Sequence, residues 1–362
     1  MSSMWGRNIK ISLFGESHSA AIGVVIDGLP AGIAIDLDGI AACMKRRKPV
    51  GAAYSTQRKE TDAVEVVSGL FEGHTTGSPL CGIIRNKDAH SADYDELRYR
   101  PRPSHADHTA YLKYDGFQDY RGGGHFSGRL TAPLVFAGAV AEQLILRSGI
   151  HVGAHIYSIG GCQDTPFGEK TSIADLATLK EKAFPVLDDA VGAQMQHQIS
   201  LAKMDLDSIG GVVECATVPV PPGLGDPIFG NLESVVSGLL FSIPAVKGVE
   251  FGDGFAITRL RGSQANDAPV IRKESVAYKT NHNGGVLGGI SNGMPLIVRA
   301  ALKPTPSISA EQETVDLQTM EDITIQIKGR HDACIVPRAV EAVRCAVALA
   351  LADLLLEDKK YD

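Results

Sequence analysis

Apolar residues along the chain fall into short runs of strand length and into longer stretches with helical spacing. Ile9–Phe14, Ile22–Ile26, Val64–Val67 and Leu80–Ile84 are apolar runs of the length of a strand, and predict strands. Leu37–Arg47 predicts a helix, with Asp36 as N-cap, Pro49 as stop and Lys45-Arg46-Arg47-Lys48 at the negative end of the helix dipole. Leu130–Leu146 predicts a second helix with an Ala-rich apolar face, directly after the cluster Gly122-Gly123-Gly124. Further strands are predicted at Val152–Ile159, Gly211–Val218, Phe255–Leu260, Leu296–Ala301 and Ile323–Ile327, and helices near Asp189–Met204, Leu232–Phe241 and Pro337–Leu356. Strands and helices mix without strict βαβ alternation, which favours an α+β fold.

One internal echo stands out. Ile22-Gly23-Val24-Val25, Leu29-Pro30-Ala31-Gly32 and a helix match Ile209-Gly210-Gly211-Val212-Val213, Val220-Pro221-Pro222-Gly223 and a helix. Two related halves and chance similarity both account for it. No compositionally distinct linker separates the halves, so residues 1–362 are read as one domain. Composition adds limits: 362 residues, 44% of them hydrophobic, give ample core, and a net charge of −7 argues against a non-specific nucleic-acid coat. A local basic pocket stays compatible with that balance. The six cysteines are scattered without a CxxC pair, and no signal peptide is seen, so reduced thiols in the cytoplasm are expected. Val340–Leu356, interrupted by Glu341, Arg344 and Asp353, reads as a buried helix and not a membrane span.

Several segments carry candidate chemistry. Gly15-Glu16-Ser17-His18-Ser19 follows a predicted strand and matches a GxSxG elbow except at Ser19, so a serine hydrolase is weighed against a plain strand-end turn. In Arg100-Pro101-Arg102-Pro103-Ser104-His105-Ala106-Asp107-His108, prolines stiffen a loop that presents a cation and an imidazole ahead of a helix near Asp107. His105 and His108 lack the further ligands of a zinc site, and His151 and His155 read as structural. Arg121-Gly122-Gly123-Gly124-His125-Phe126-Ser127-Gly128-Arg129 enters a helix N-terminus, a place where glycines let backbone amides approach an anion; neither a P-loop nor a Rossmann fingerprint is present. Arg330-His331-Asp332, with Arg338 in the helix that follows, can set a carboxylate beside an imidazole and a guanidinium. Asn281 to Gly289 and Lys303-Pro304-Thr305-Pro306-Ser307 are a glycine-rich and a stiff polar loop. Each segment taken alone has an ordinary structural explanation.

Taken in order, these segments resemble the chorismate synthase family from Gly15 to the last helix. The three signatures are Gly15-Glu16-Ser17-His18 through Gly28-Leu29-Pro30, Gly124 through Ser127-Gly128-Arg129 into Ala137-Gly138-Ala139, and Arg330-His331-Asp332-Ala333-Cys334. Arg102 to Asp107 and Gly248 to Phe255 fill the intervals. The resemblance implies a shikimate-pathway enzyme that converts 5-enolpyruvylshikimate 3-phosphate to chorismate and phosphate by 1,4-elimination, with reduced FMN and no net redox change. It also implies a β-α-β sandwich, helices between two antiparallel sheets, in a homotetramer. Arg47, Arg102, Arg129 and Arg338 would bind the anionic substrate by bidentate recognition. His18 would give a proton to the leaving phosphate, His105 would serve the flavin ring, and Asp332 would assist proton removal, with Ser17 and Ser127 in support.

The FMN positions carry over to His125, Phe126 and Ser127, to Ala245, to Gly288, to Lys303, Pro304, Thr305, Pro306 and Ser307, and to Arg330. Departures from the family pattern are Ser19, His125-Phe126-Ser127 and Ser104, the last in place of a glycine. A second arginine expected after Arg46-Arg47, for substrate or NADP contact, falls at Ala53, leaving Arg58 or Lys59 as replacements. The family accounts for the chain with nothing left for a flavin reductase domain, so an external flavin reductant is expected, with no metal, nucleic-acid or membrane partner. The competing readings are the hydrolase and a non-catalytic flavin or anion binder.

Overall fold

Alternation along Ala21–Asp27 turns Ile22, Val24 and Ile26 to one side, where each is at most 1% exposed, and the same device repeats in the strands around it. The computed structural model describes residues 3–48, 62–86, 97–272, 274–327 and 332–358. In it, five antiparallel strands run in the order Met4–Trp5, Lys10–Gly15, Ala21–Asp27, Leu80–Arg85 and Val64–Ser68. A second antiparallel sheet of five has the order Val246–Phe251, Leu296–Leu302, Gly211–Val218, His151–Ile159 and Cys162–Gln163.

Helices fill the space between the sheets. Thr131–Leu146 packs on the first sheet, its Phe136 ring so close that a methyl group on Gly82 would lie 2.5 Å from it. Val336–Asp358 packs on His151–Ile159 and Gly211–Val218, and the two helices press together at Gly138, where a methyl group would lie 2.3 Å from the Cys345 Cβ. Only glycine permits that approach. One contiguous hydrophobic core contains residues of both sheets and of these helices. At the far end of the last helix the Asp353 carboxylate accepts the backbone N–H groups of Arg7, Asn8 and Ile9 at 3.1, 2.6 and 2.8 Å. Arg121–Leu146 has the hydropathy of a membrane span, but 78% of its most apolar stretch is buried in the fold and the continuous α-helix is Thr131–Leu146, 16 residues.

The α+β sandwich expected from the sequence is the one observed. Leu37–Arg47 is a helix with those bounds, and the Asp36 carboxylate accepts the Gly39 N–H at 2.9 Å, an N-cap bond. The two echoed segments occupy equivalent places: each is a strand, a turn and a helix, and both helices, Leu37–Arg47 and Leu232–Ser242, pack on the last one. The expected strand Phe255–Leu260 is instead a 3₁₀ turn, Gly254–Arg259. Gly252 and Gly254, at φ 56° and 54°, swing the chain off the sheet, and the edge strand is the preceding Val246–Phe251.

Candidate active site

A cavity of about 650 Å³ opens where loops from distant parts of the chain meet. Its walls are the end of the Leu37–Arg47 helix, the loop around Arg102–Ala106, the glycine turn that leads into Thr131–Leu146, the turn after Leu232–Ser242, the stretch from Leu302 to Ser307 and the start of the last helix. Among the described residues, seven cationic side chains line it (Arg47, Lys48, Arg102, Arg129, Lys247, Lys303 and Arg338) against two carboxylates, Asp62 and Asp332. A chain of net charge −7 therefore concentrates positive charge in one concavity.

The backbone explains the placement. Gly122, Gly123 and Gly124 all have positive φ, at 58°, 82° and 53°. A methyl group on Gly122 would lie 2.3 Å from His18 Cε1 and 2.8 Å from Ser17 Oγ, and one on Gly123 would lie 3.1 Å from His105 Cε1. The bare glycines thus let two histidine-bearing loops close on one turn. Ser127 then accepts the Arg129 N–H at 3.3 Å and opens the short turn ahead of Thr131–Leu146. Among the described residues, three other than glycine that line the cavity also have positive φ: Asp62 at 45°, Ser104 at 58° and Ala245 at 74°. Backbone strain of this kind collects at functional sites, and Ser104 is the position where the family pattern has glycine.

Carboxylates hold the cations. The Asp107 Oδ1 accepts from His105 Nδ1 at 2.6 Å, and the same carboxylate accepts the Arg102 Nε and NH2 at 2.7 and 2.9 Å. Arg102 NH1 donates to Ser307 Oγ at 3.2 Å. Burial lowers the His105 pKa from its ordinary 6.5; the Asp107 bond opposes this, and the charges of Arg102 and Lys303 add to the lowering. Burial alone would raise the Asp107 carboxyl, but bonds from Arg102 and His105 hold it far below the usual carboxylate range. Asp62 likewise bridges Arg47, at 2.5 Å, and Arg129. Burial draws the Arg47 guanidinium down from its ordinary value to about 10, with Asp62 opposing and Arg338 and Arg129 adding to the fall. Asp332 accepts from Arg338 NH1 at 2.5 Å.

The structure brings Arg47, Arg102, Arg129, Arg338, His105, Asp332, Ser127, His125, Phe126, Ala245, Lys303, Thr305, Pro306 and Ser307 to the cavity wall. Ser17 and His18 stand directly behind Gly122, and Pro304 is in the same loop as its neighbours without lining the wall. Gly288 is not brought there. It turns the small hairpin between Val286–Leu287 and Ile290–Ser291, tied to the helix at Leu232 by the Leu232 N–H bond to Gly289 O at 2.9 Å. Arg330, His331, Ala53, Arg58 and Lys59 lie outside the described residues. The GxSxG reading fails on topology, because Gly15 to Ser19 joins the strands Lys10–Gly15 and Ala21–Asp27 as a hairpin and no helix follows the serine.

Sequence reasoning missed Asp62, Asp107 as the partner of both Arg102 and His105, and the cavity-lining Phe241 and Lys247. Asp107 was within reach, two residues from His105 and five from Arg102. Asp62 was not: its partners are 15 and 67 residues away.

A family model described as chorismate synthase matches residues 9–356. The chain is similar to the chorismate synthase of Thermococcus kodakarensis, 46% identical over 359 residues that cover 99% of each protein. It is also similar to that of Dehalococcoides mccartyi, 47% identical over 356 residues, 98% of this chain and 97% of the relative. Among solved structures it matches one titled "Crystal Structure of Chorismate Synthase", with a TM-score of 0.76, 28% identity, and coverage of 98% of this chain and 93% of the other.

Proposed function

The chain belongs to the chorismate synthase family, and from that premise we propose how its cavity carries the family's reaction. That reaction, of the shikimate pathway to the aromatic amino acids, is the 1,4-elimination of phosphate from 5-enolpyruvylshikimate 3-phosphate to give chorismate, and this chain is a lyase of that class. The observation that carries the assignment to this cavity is the convergence of Arg47, Arg102, Arg129 and Arg338 with His105 and Asp332 around one space.

The substrate carries one phosphate and two carboxylates. Four guanidiniums fixed by Asp62, Asp107 and Asp332 meet it with planar, directed donors in a poorly solvated site, at little reorganisation cost. His18, behind Gly122, gives a proton to the departing phosphate; the missing side chain at Gly122 keeps its path short. Asp332, held by Arg338, assists removal of the ring proton. Ser17 and Ser127 supply hydrogen bonds.

The family uses reduced FMN, and the residues here fit it. The partly exposed rings of Phe126 and Phe241, with Ala245 between strand and helix, offer an apolar wall, while Lys303, Thr305 and Ser307 offer a cation and hydroxyls for a phosphate tail. When bound, reduced FMN would lend the site transient electron density with no net oxidation. His105 would face that group: with Nδ1 on Asp107 its Nε2 is left to hold a proton, and an anionic partner would raise the pKa that burial and the neighbouring cations now lower.

By likeness to the family, the proposal extends to a homotetramer in the cytoplasm that takes reduced flavin from an external source. Anaerobic incubation with dithionite-reduced FMN and the enolpyruvyl substrate is expected to release phosphate and form chorismate in equal amounts. Flavin binding without phosphate release would refute the assignment, and aerobic turnover by the pure protein with NADPH alone would refute the external reductant.

A further inference from the structure

Two of the four arginines share one carboxylate. Arg47 NH2 and Arg129 NH1 meet different oxygens of Asp62, Oδ2 and Oδ1, and the three side chains are 2%, 6% and 1% exposed. Two guanidiniums this close and this dry repel each other strongly unless a negative charge stands between them. Arg47 also keeps a donor to spare. Arg47 uses NH1 on Thr131 Oγ1 at 3.1 Å, and its buried Nε–H has no hydrogen-bond partner among the described residues. Arg129 directs Nε to Asn86 Oδ1 at 3.3 Å. An unpartnered, fully buried donor on a residue that lines the cavity marks a place for a ligand oxygen.

We propose that Asp62 is a positioning residue for the anionic substrate: its carboxylate holds Arg47 and Arg129 as a pair, one on each oxygen, so that both cations stand at one anion and the spare Arg47 donor can meet it. The proposal rests on the reading of this cavity as the substrate site. Asp62 holds no substrate atom itself; it fixes two cations that do, as an outer carboxylate orients a metal-bound histidine. Its backbone, at φ 45°, is in the left-handed region, which Asp and Asn enter more readily than other side chains. Asp62→Asn therefore keeps shape and backbone tolerance and removes only the charge.

In the wild type, phosphate release establishes the reading of the site. In Asp62→Asn, KM for 5-enolpyruvylshikimate 3-phosphate is expected to rise by about tenfold or more while kcat stays within about threefold, the pattern of lost ground-state binding. Calorimetric titration of the same substrate into flavin-free protein should weaken in parallel. In an Arg129→Gln background, adding Asp62→Asn should cost no more than about threefold, because the pair is already broken; this comparison also stands in if the single variant does not fold. An unchanged or tighter substrate affinity in Asp62→Asn overturns the proposal, since Asp62 would then be a competing anion. A fall in kcat with KM unchanged overturns it too. Wild-type protein that neither binds nor converts the substrate overturns the site assignment and the role of Asp62 with it.

Discussion

His105 and His155 each set Nδ1 against an aspartate, at 2.6 Å from Asp107 and 3.1 Å from Asp164, and each has an arginine nearby. Around His105 the arginine shares the same carboxylate, and the ring lines the cavity. His155 is 0% exposed on the outer face of the second sheet, and its Nε2 meets a second carboxylate, Glu214, at 2.9 Å. Glu214 also accepts the Phe167 N–H at 2.6 Å and the Arg299 guanidinium, which stacks 4.5 Å from the centre of the Tyr157 ring. One extra carboxylate reverses the titration. Burial lowers both imidazoles, but Asp164 and Glu214 together outweigh it and raise His155, whereas His105, with one carboxylate and two cations around it, stays lowered. The same residue types thus build a site with capacity left for a ligand in one place and a sealed bracket in the other.

The sharpest break of this contrast is functional. His105→Ala and His18→Ala are each expected to lower turnover by about 10²–10⁴-fold with the melting temperature little changed; wild-type rates in both would remove the acid roles. Glu214→Gln should do the reverse. It leaves His155 and Arg299 short of a charge in a buried place, so chemical denaturation should show a loss of about 3–5 kcal/mol, with turnover per folded molecule unaltered.

Next in size is Gly122→Ala, which forces a methyl group into the space of His18 at a left-handed backbone position. It should cost about 1–3 kcal/mol in stability, together with activity. The pH dependence of stability separates the two histidines by sign. His105, lowered in the fold, stabilises fully above 6.5, and that contribution is lost as the pH falls below 6.5 toward its folded value, so a His105 variant should flatten the acid side of the stability profile. His155, raised in the fold, contributes fully below 6.5 and loses its contribution as the pH climbs through its folded value, so a His155 variant should flatten the alkaline side. The smallest effect is expected at Ser104, where Ser104→Gly should relieve the positive φ and stabilise by about 1 kcal/mol or less with turnover retained.

Much of the frame was legible in the sequence where apolar period and capping chemistry agree, as in Leu37–Arg47, Asp189–Met204 and Gly211–Val218. The hairpin Glu311–Asp316 with Glu321–Gln326 was half missed, because its first strand, EQETVD, has little apolar pattern to detect. Val246–Phe251 was hidden by Gly248 and Glu250, residues poor in strand propensity that backbone pairing with Leu296–Leu302 overrides. At the site, the arginines and histidines were named through the family resemblance, since each segment alone also read as an ordinary turn or loop. Asp62 escaped both routes: a single acid beyond a charged stretch gives no sign that it will meet two arginines distant in sequence.

The Asp353 carboxylate, closing on the backbone of residues 7–9, bears on how the protein is made. The helix that carries it is synthesised after every strand of both sheets, yet it fills the space between them. A nascent chain still lacking that helix holds a second sheet whose apolar face is short of its main cover, and the amides of residues 7–9 wait for a partner more than 340 positions downstream. Ribosome-bound chains are therefore expected to need shielding until late in synthesis, with the first strand among the last pieces to lock.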